Sequence, residues 1–130
     1  MSKKSKPRIF YDSQTDLLEV VFSEVKNVAY EIEEGIFELR AGRGKVVGYT
    51  VVDASERFSE LRFLDPMVRF AVQVKMARLK KGLTQARLAK KLGMGLLPYQ
   101  RLESGDNNPT LKTILKLKSA FPEISVDKIA

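Results

Sequence analysis

The side chains that could do chemistry in this sequence fall into two sets. Acids crowd the first half; amides, guanidinium groups and amines crowd the second. Asp12, Asp16, Glu31, Glu33, Glu34 and Asp53 could hold a divalent metal for phosphodiester hydrolysis, the route open to a chain with no His and no Cys. Their placement argues against it. Asp12 and Asp16 flank a turn, and Glu33-Glu34-Gly35 forms another, so they read as turn formers and solvated charges. The run GRGK at 42–45 sits in a hairpin and lacks the frame of a phosphate-cradling loop. No catalysis, metal or cofactor is therefore expected. The second set suits recognition. Gln85 opens a helix beside free N–H groups, which suits a phosphate. Gln100 and Arg101 lie on a later helix; Arg101 could read guanine through a bidentate pair, or touch phosphate. Asn107 and Asn108 form a turn that could meet a nucleic-acid backbone or serve the turn alone. Lys90, Lys91 and Lys112 suit a non-specific electrostatic footprint.

These residues need short helices to hold them, and Arg78–Phe121 supplies the pattern. Apolar residues recur at helical spacing and are cut by turn signals every eight to twelve residues. Asp65-Pro66 is a cap followed by a good first helical residue, so a helix runs from Pro66 to Lys81 with Phe70, Val74 and Ala77 inward. Gly82 stops it, and Thr84 caps the next, which carries Leu88, Ala89 and Leu92. Gly93 breaks that helix. A third runs from about Leu96 to Ser104 and stops at Gly105; Pro98 suits its first turn. A fourth follows the cap Thr110 with Leu111, Ile114, Leu117 and Phe121. Ser125 to Ile129 would form a last turn. Two short helices joined by a glycine turn are a helix-turn-helix, whose later helix enters the major groove of DNA.

The run GLTQARLAKKLG, then YQRLESG and NPTLKTILKL, resembles the Cro-like, XRE-family helix-turn-helix domains of bacterial and phage regulators, over roughly residues 67–121. The resemblance implies that Thr84 and Gln85 open the second helix, with Gln85 on a DNA phosphate. It implies a structural ion pair between Arg78 and Glu103. It places Gly95 to Gln100, with Arg101, at base edges. One stretch departs from the family. Where polar residues usually open the third helix, this chain has Gly95, Leu96, Leu97 and Pro98. The two leucines cannot hydrogen-bond a base; they could touch thymine methyl groups or pack on a partner chain.

Charge sorts along the chain in the same way. The net charge is +7 over 130 residues. Residues 1–8 hold four basic groups and no acid; residues 9–65 hold 6 basic and 12 acidic, a balance of −6; residues 66–130 hold 13 and 4, a balance of +9. A basic helical half beside an acidic half suits a nucleic-acid module joined to a separate partner domain. No apolar run reaches 18 residues and no signal peptide is evident, which favours a cytoplasmic protein without membrane association.

The acidic half reads as strands: Arg8–Tyr11, Leu17–Ser23, Asn27–Glu33, Gly35–Ala41 and Lys45–Val52, an antiparallel meander. Its apolar face needs a cover. A helix capped by Asp53, with Glu56 completing a capping box and Phe58, Leu61 and Leu64 on one side, is expected to supply it. From YDSQTDLLEVVFSE to GKVVGYTVVDAS this half resembles a small β-rich bacterial domain family of unknown function, associated with toxin–antitoxin loci and small regulators.

The expectation is an α+β chain: a basic disordered tail over 1–8, a β-rich partner or effector domain over 9–64, and a helix-turn-helix domain over 65–130. Its partner is double-stranded DNA, which it reads as a homodimeric transcriptional repressor. One variant is an antitoxin whose acidic domain masks a small basic toxin. The rival reading is a protein-interaction module whose helices no longer read DNA.

Overall fold

The computed structural model describes residues 7–105 and 108–124. The expected basic tail through Lys6, the turn residue Asn107 and the closing turn at Ser125–Ile129 lie outside them. The chain divides into two compact units between Leu61 and Arg62.

The first unit is a five-stranded antiparallel sheet of β1 (Arg8–Asp12), β2 (Leu17–Val21), β3 (Val28–Glu33), β4 (Ile36–Ala41) and β5 (Lys45–Val51). The spatial order is β1-β2-β5-β4-β3. Two hairpin-linked pieces are thus joined through β2 and β5, and β3 lies on an edge. The buried face follows from register. Leu18 pairs with Val51, and Val51 with Ile36, so three apolar side chains stand in one row across the sheet. Val20 and Val47 extend that face, and all five are almost fully buried. Each such side chain contributes about 1.5–3 kcal/mol on leaving water. Gly48 is required where β5 passes β2: a Cβ there would lie 2.5 Å from the Val20 carbonyl oxygen.

The cover over this sheet differs from the expected capped helix. Asp53 adopts a left-handed conformation (φ 52°, ψ 49°) and its side chain caps nothing. The helix α1 (Ala54–Arg57) is one turn long and passes into a 3₁₀ turn over Phe58–Glu60. Asp16 anchors it from the β1–β2 turn. Its carboxylate accepts hydrogen bonds from the Ser55 hydroxyl at 2.6 Å and the Ser55 backbone N–H at 3.1 Å, and its carbonyl accepts from Ala54 N–H at 2.9 Å. The Tyr11 hydroxyl donates to the same carboxylate at 2.5 Å. A capping-box pattern is local, and here a longer-range carboxylate supplied what it would have supplied.

The second unit is four helices: α2 (Pro66–Lys80), α3 (Gln85–Lys91), α4 (Leu96–Ser104) and α5 (Leu111–Ala120). Their ends are set as the sequence predicts. Asp65 accepts from Met67 N–H, Thr84 from Arg87 N–H and Thr110 from Thr113 N–H. Gly105 ends α4 in the left-handed region at φ 76°, a conformation a β-carbon would strain. Phe70, Val74 and Ala77 of α2, Leu88 and Ala89 of α3, Tyr99 and Leu102 of α4, and Leu117 with Phe121 form one buried core. Two lysines of α5 tie it to other backbone of this unit. Lys116 Nζ donates to the Leu92 carbonyl at 3.0 Å, and Lys118 Nζ to the Ile124 carbonyl at 2.7 Å.

Candidate nucleic-acid interface

The site is built outward from one carboxylate. Glu103, on the inner face of α4, is 3% exposed, and Arg78, near the end of α2, is 7% exposed. A buried carboxylate needs donors, and Glu103 accepts four hydrogen bonds from three side chains. Arg78 Nε donates at 2.6 Å and Nη2 at 3.1 Å, a bidentate fork. The Tyr99 hydroxyl, one turn back on α4, also donates to it. Gln85 Nε2 donates at 3.1 Å from the first turn of α3. Arg78 has a further role: its Nη1 donates to the Leu83 carbonyl at 2.7 Å, holding the turn between α2 and α3.

The electrostatics agree with this packing. Burial alone would lower the Arg78 guanidinium; the hydrogen bonds and charge of Glu103 outweigh it and hold it above its ordinary value. Tyr99 is pushed up, first by burial and then by the charge and hydrogen bond of Glu103.

From Glu103 the bonding passes to the surface. Gln85 uses its amide N–H on the carboxylate, so its oxygen faces α4, where Gln100 Nε2 donates to it at 3.1 Å. Amide orientation is usually a matter of assignment. Here chemistry fixes it: ionised Glu103 only accepts, so Gln85 must turn its nitrogen inward and its oxygen to Gln100. Gln100 is exposed, and it keeps its own oxygen and one N–H for a ligand.

Arg101, Thr84, Gly95 and Lys112 are exposed, as is Asn108. Leu96 and Leu97 open α4 with 45% and 60% of their surface in solvent. The α4 N-terminus has no side-chain cap, because Gly95 stands at that position. The structure brings Gln85 and Gln100 together and places Arg78 on Glu103. The Gln85–Glu103 link and the Tyr99 hydroxyl contact are additions. Tyr99 and Glu103 are four apart on one helix, a spacing that places side chains on one face.

One comparison with known proteins falls on this unit. Residues 74–129 match the family described as helix-turn-helix. A 60-residue stretch of the chain is also similar to the cryptic phage CTXphi transcriptional repressor RstR of Vibrio cholerae serotype O1, with 33% identity. That alignment covers 45% of this chain and 53% of the repressor, so the chain spans about half the length of the curated relative it matches. No solved structure matches the chain. Of the two short helices joined by the Gly93 turn, α4 is the later. No helix among the described residues is long and apolar enough to cross a membrane, and these residues contain no cluster of three or more acids placed to hold a metal ion.

Proposed function

We propose that this chain is a sequence-specific DNA-binding transcriptional regulator, a non-enzymatic repressor that acts as a homodimer on a palindromic operator. The observation that carries the reading is the Glu103–Gln85–Gln100 relay, which holds an oriented amide on the exposed side of α4. An amide that offers an acceptor and a donor together matches the N6 and N7 edge of adenine in the major groove. Arg101, exposed on the same helix, supplies a guanidinium for a guanine or a phosphate. Thr84 and the second N–H of Gln85, with Asn108 and Lys112, supply contacts to the phosphate backbone. The similarity to a phage repressor supports the regulatory role. Half-sites about 10 bp apart centre to centre follow from the geometry of this motif in dimers.

The test is selection of bound fragments from random duplex DNA, followed by titration at two salt concentrations. An enriched inverted repeat, bound more weakly at the higher salt, is the expected result. No enrichment at low salt would overturn the reading.

A second reading rests on Leu96 and Leu97, exposed where polar groups usually stand. In it α4 docks a protein and not a duplex. Binding to that protein would barely respond to salt, in contrast to the titration above. The −6 balance of residues 9–65 supports a basic partner for that stretch, the antitoxin variant of the first reading. A small basic toxin encoded beside this gene, and neutralised by this chain, would be the observation to seek.

A further inference from the structure

We propose that the hollow beside β3 in the strand unit binds a small oxyanion, a metabolite carrying phosphate or carboxylate groups. The hollow has a volume of about 550 Å³ and opens between the start of β3 and the turn that follows β4. Lys26, Arg40 and Arg43 line it, together with Tyr30. Residues 9–65 hold only 6 basic groups against 12 acids, yet half of the cations line this one hollow and none of the acids does. In a stretch with this acidic balance, such a concentration of one sign focuses anions there.

Two further observations make the cluster more than a patch. Arg40 is held in place: Glu38 accepts from its Nε at 2.9 Å and pairs with its Nη2 at 2.9 Å, and its guanidinium carbon lies 4.4 Å from the Tyr30 ring centroid. Glu38 neutralises part of its charge, but Lys26 and Arg43 have no ion-pair partner among the described residues. Arg43, in turn, sits in a left-handed conformation (φ 66°, ψ 18°) between Gly42 and Gly44. The other non-glycine residues at positive φ are Asp16 and Asp53, a type that tolerates it; arginine does not share that tolerance. Glycine would sit there without strain. The sequence therefore keeps a strained cation at the lip of the hollow, and strain of this kind marks functional positions.

The experiment is calorimetric titration of the full chain with pyrophosphate and, separately, with citrate, at fixed ionic strength against a chloride control. One anion should bind per chain. Arg43→Gly and Lys26→Ala should each weaken it by roughly tenfold, the scale of one charge-assisted contact. Tighter pyrophosphate points to a phosphate source and tighter citrate to a carboxylate source. Arg43→Gly should also keep or raise the melting temperature, since it relieves the left-handed strain. The proposal is overturned by no heat beyond the chloride control. It is equally overturned if affinity is unchanged in the Arg43→Gly, Lys26→Ala double variant, which would put the anion on the basic helices. A lowered melting temperature in Arg43→Gly would remove the strain argument. Operator binding, measured without either anion, does not depend on this outcome.

Discussion

Gln100 donates one Nε2 hydrogen to the Oε1 atom of Gln85 at 3.1 Å, and Gln85 is in turn held by the buried Glu103. A side chain presented to solvent is thereby oriented by a charge inside the core. Removing the middle member should free the outer one. In Gln85→Ala we expect affinity for the best operator to fall by about 1 kcal/mol, the scale of one hydrogen bond. We also expect preference to flatten at one base pair in each half-site, with the slope against salt retained. Selection from random DNA with both proteins checks this; an unchanged preferred sequence would remove Gln85 from the reading of bases.

The Arg78–Glu103 pair should behave differently, because it is buried. Arg78→Ala leaves the carboxylate without its fork and frees the α2–α3 turn held at Leu83. The expected loss is about 3–5 kcal/mol of stability. Chemical denaturation followed by circular dichroism measures it, and equal midpoints would contradict a structural role.

Alkaline pH should weaken the protein in a calculable direction. Tyr11 and Tyr99 are both held above the ordinary phenol value of 10.0, chiefly by burial. Their folded values exceed their unfolded ones. The stability they contribute is therefore complete below about pH 10 and is lost as pH rises further. Tyr99→Phe should flatten this decline. It should also cost about 1–3 kcal/mol at neutral pH, because Glu103 loses a donor. A Tyr99→Phe protein as alkali-sensitive as the parent would refute the assignment.

Leu97 offers a test made on the DNA. If it touches a thymine methyl, replacing that thymine by uracil should weaken binding by about 0.8 kcal/mol, the value of one buried methylene-sized group. The same replacement should not affect Leu97→Ala. Leu97 is 60% exposed, so the variant itself should change stability by no more than about 0.5 kcal/mol. Equal sensitivity of both proteins to uracil at every position would instead favour a protein partner.

The helical unit was largely legible in the sequence because its signals are local. Thr84 and Thr110 cap where they stand, and Gly105 turns where it stands. The strand unit was legible as strands but not in its order, since pairing β5 with β2 is decided across the whole unit. The sequence at Asp53-Ala54-Ser55-Glu56 mimics a capping box; Asp16, 39 residues before Ser55, made the real contact. The Gln85 relay also joins residues 18 and 15 apart, beyond any periodicity. Only the Tyr99–Glu103 contact was readable from spacing and went unread.

Lys116 and Lys118 contribute to the +9 balance of residues 66–130, yet both amines rest on carbonyls of their own chain. Lys112, on the same helix, is exposed. A count of positive residues therefore overstates how many sodium ions this protein displaces from a duplex. Acetylating Lys116 would loosen the end of α3 and leave the ionic grip on the double helix nearly intact.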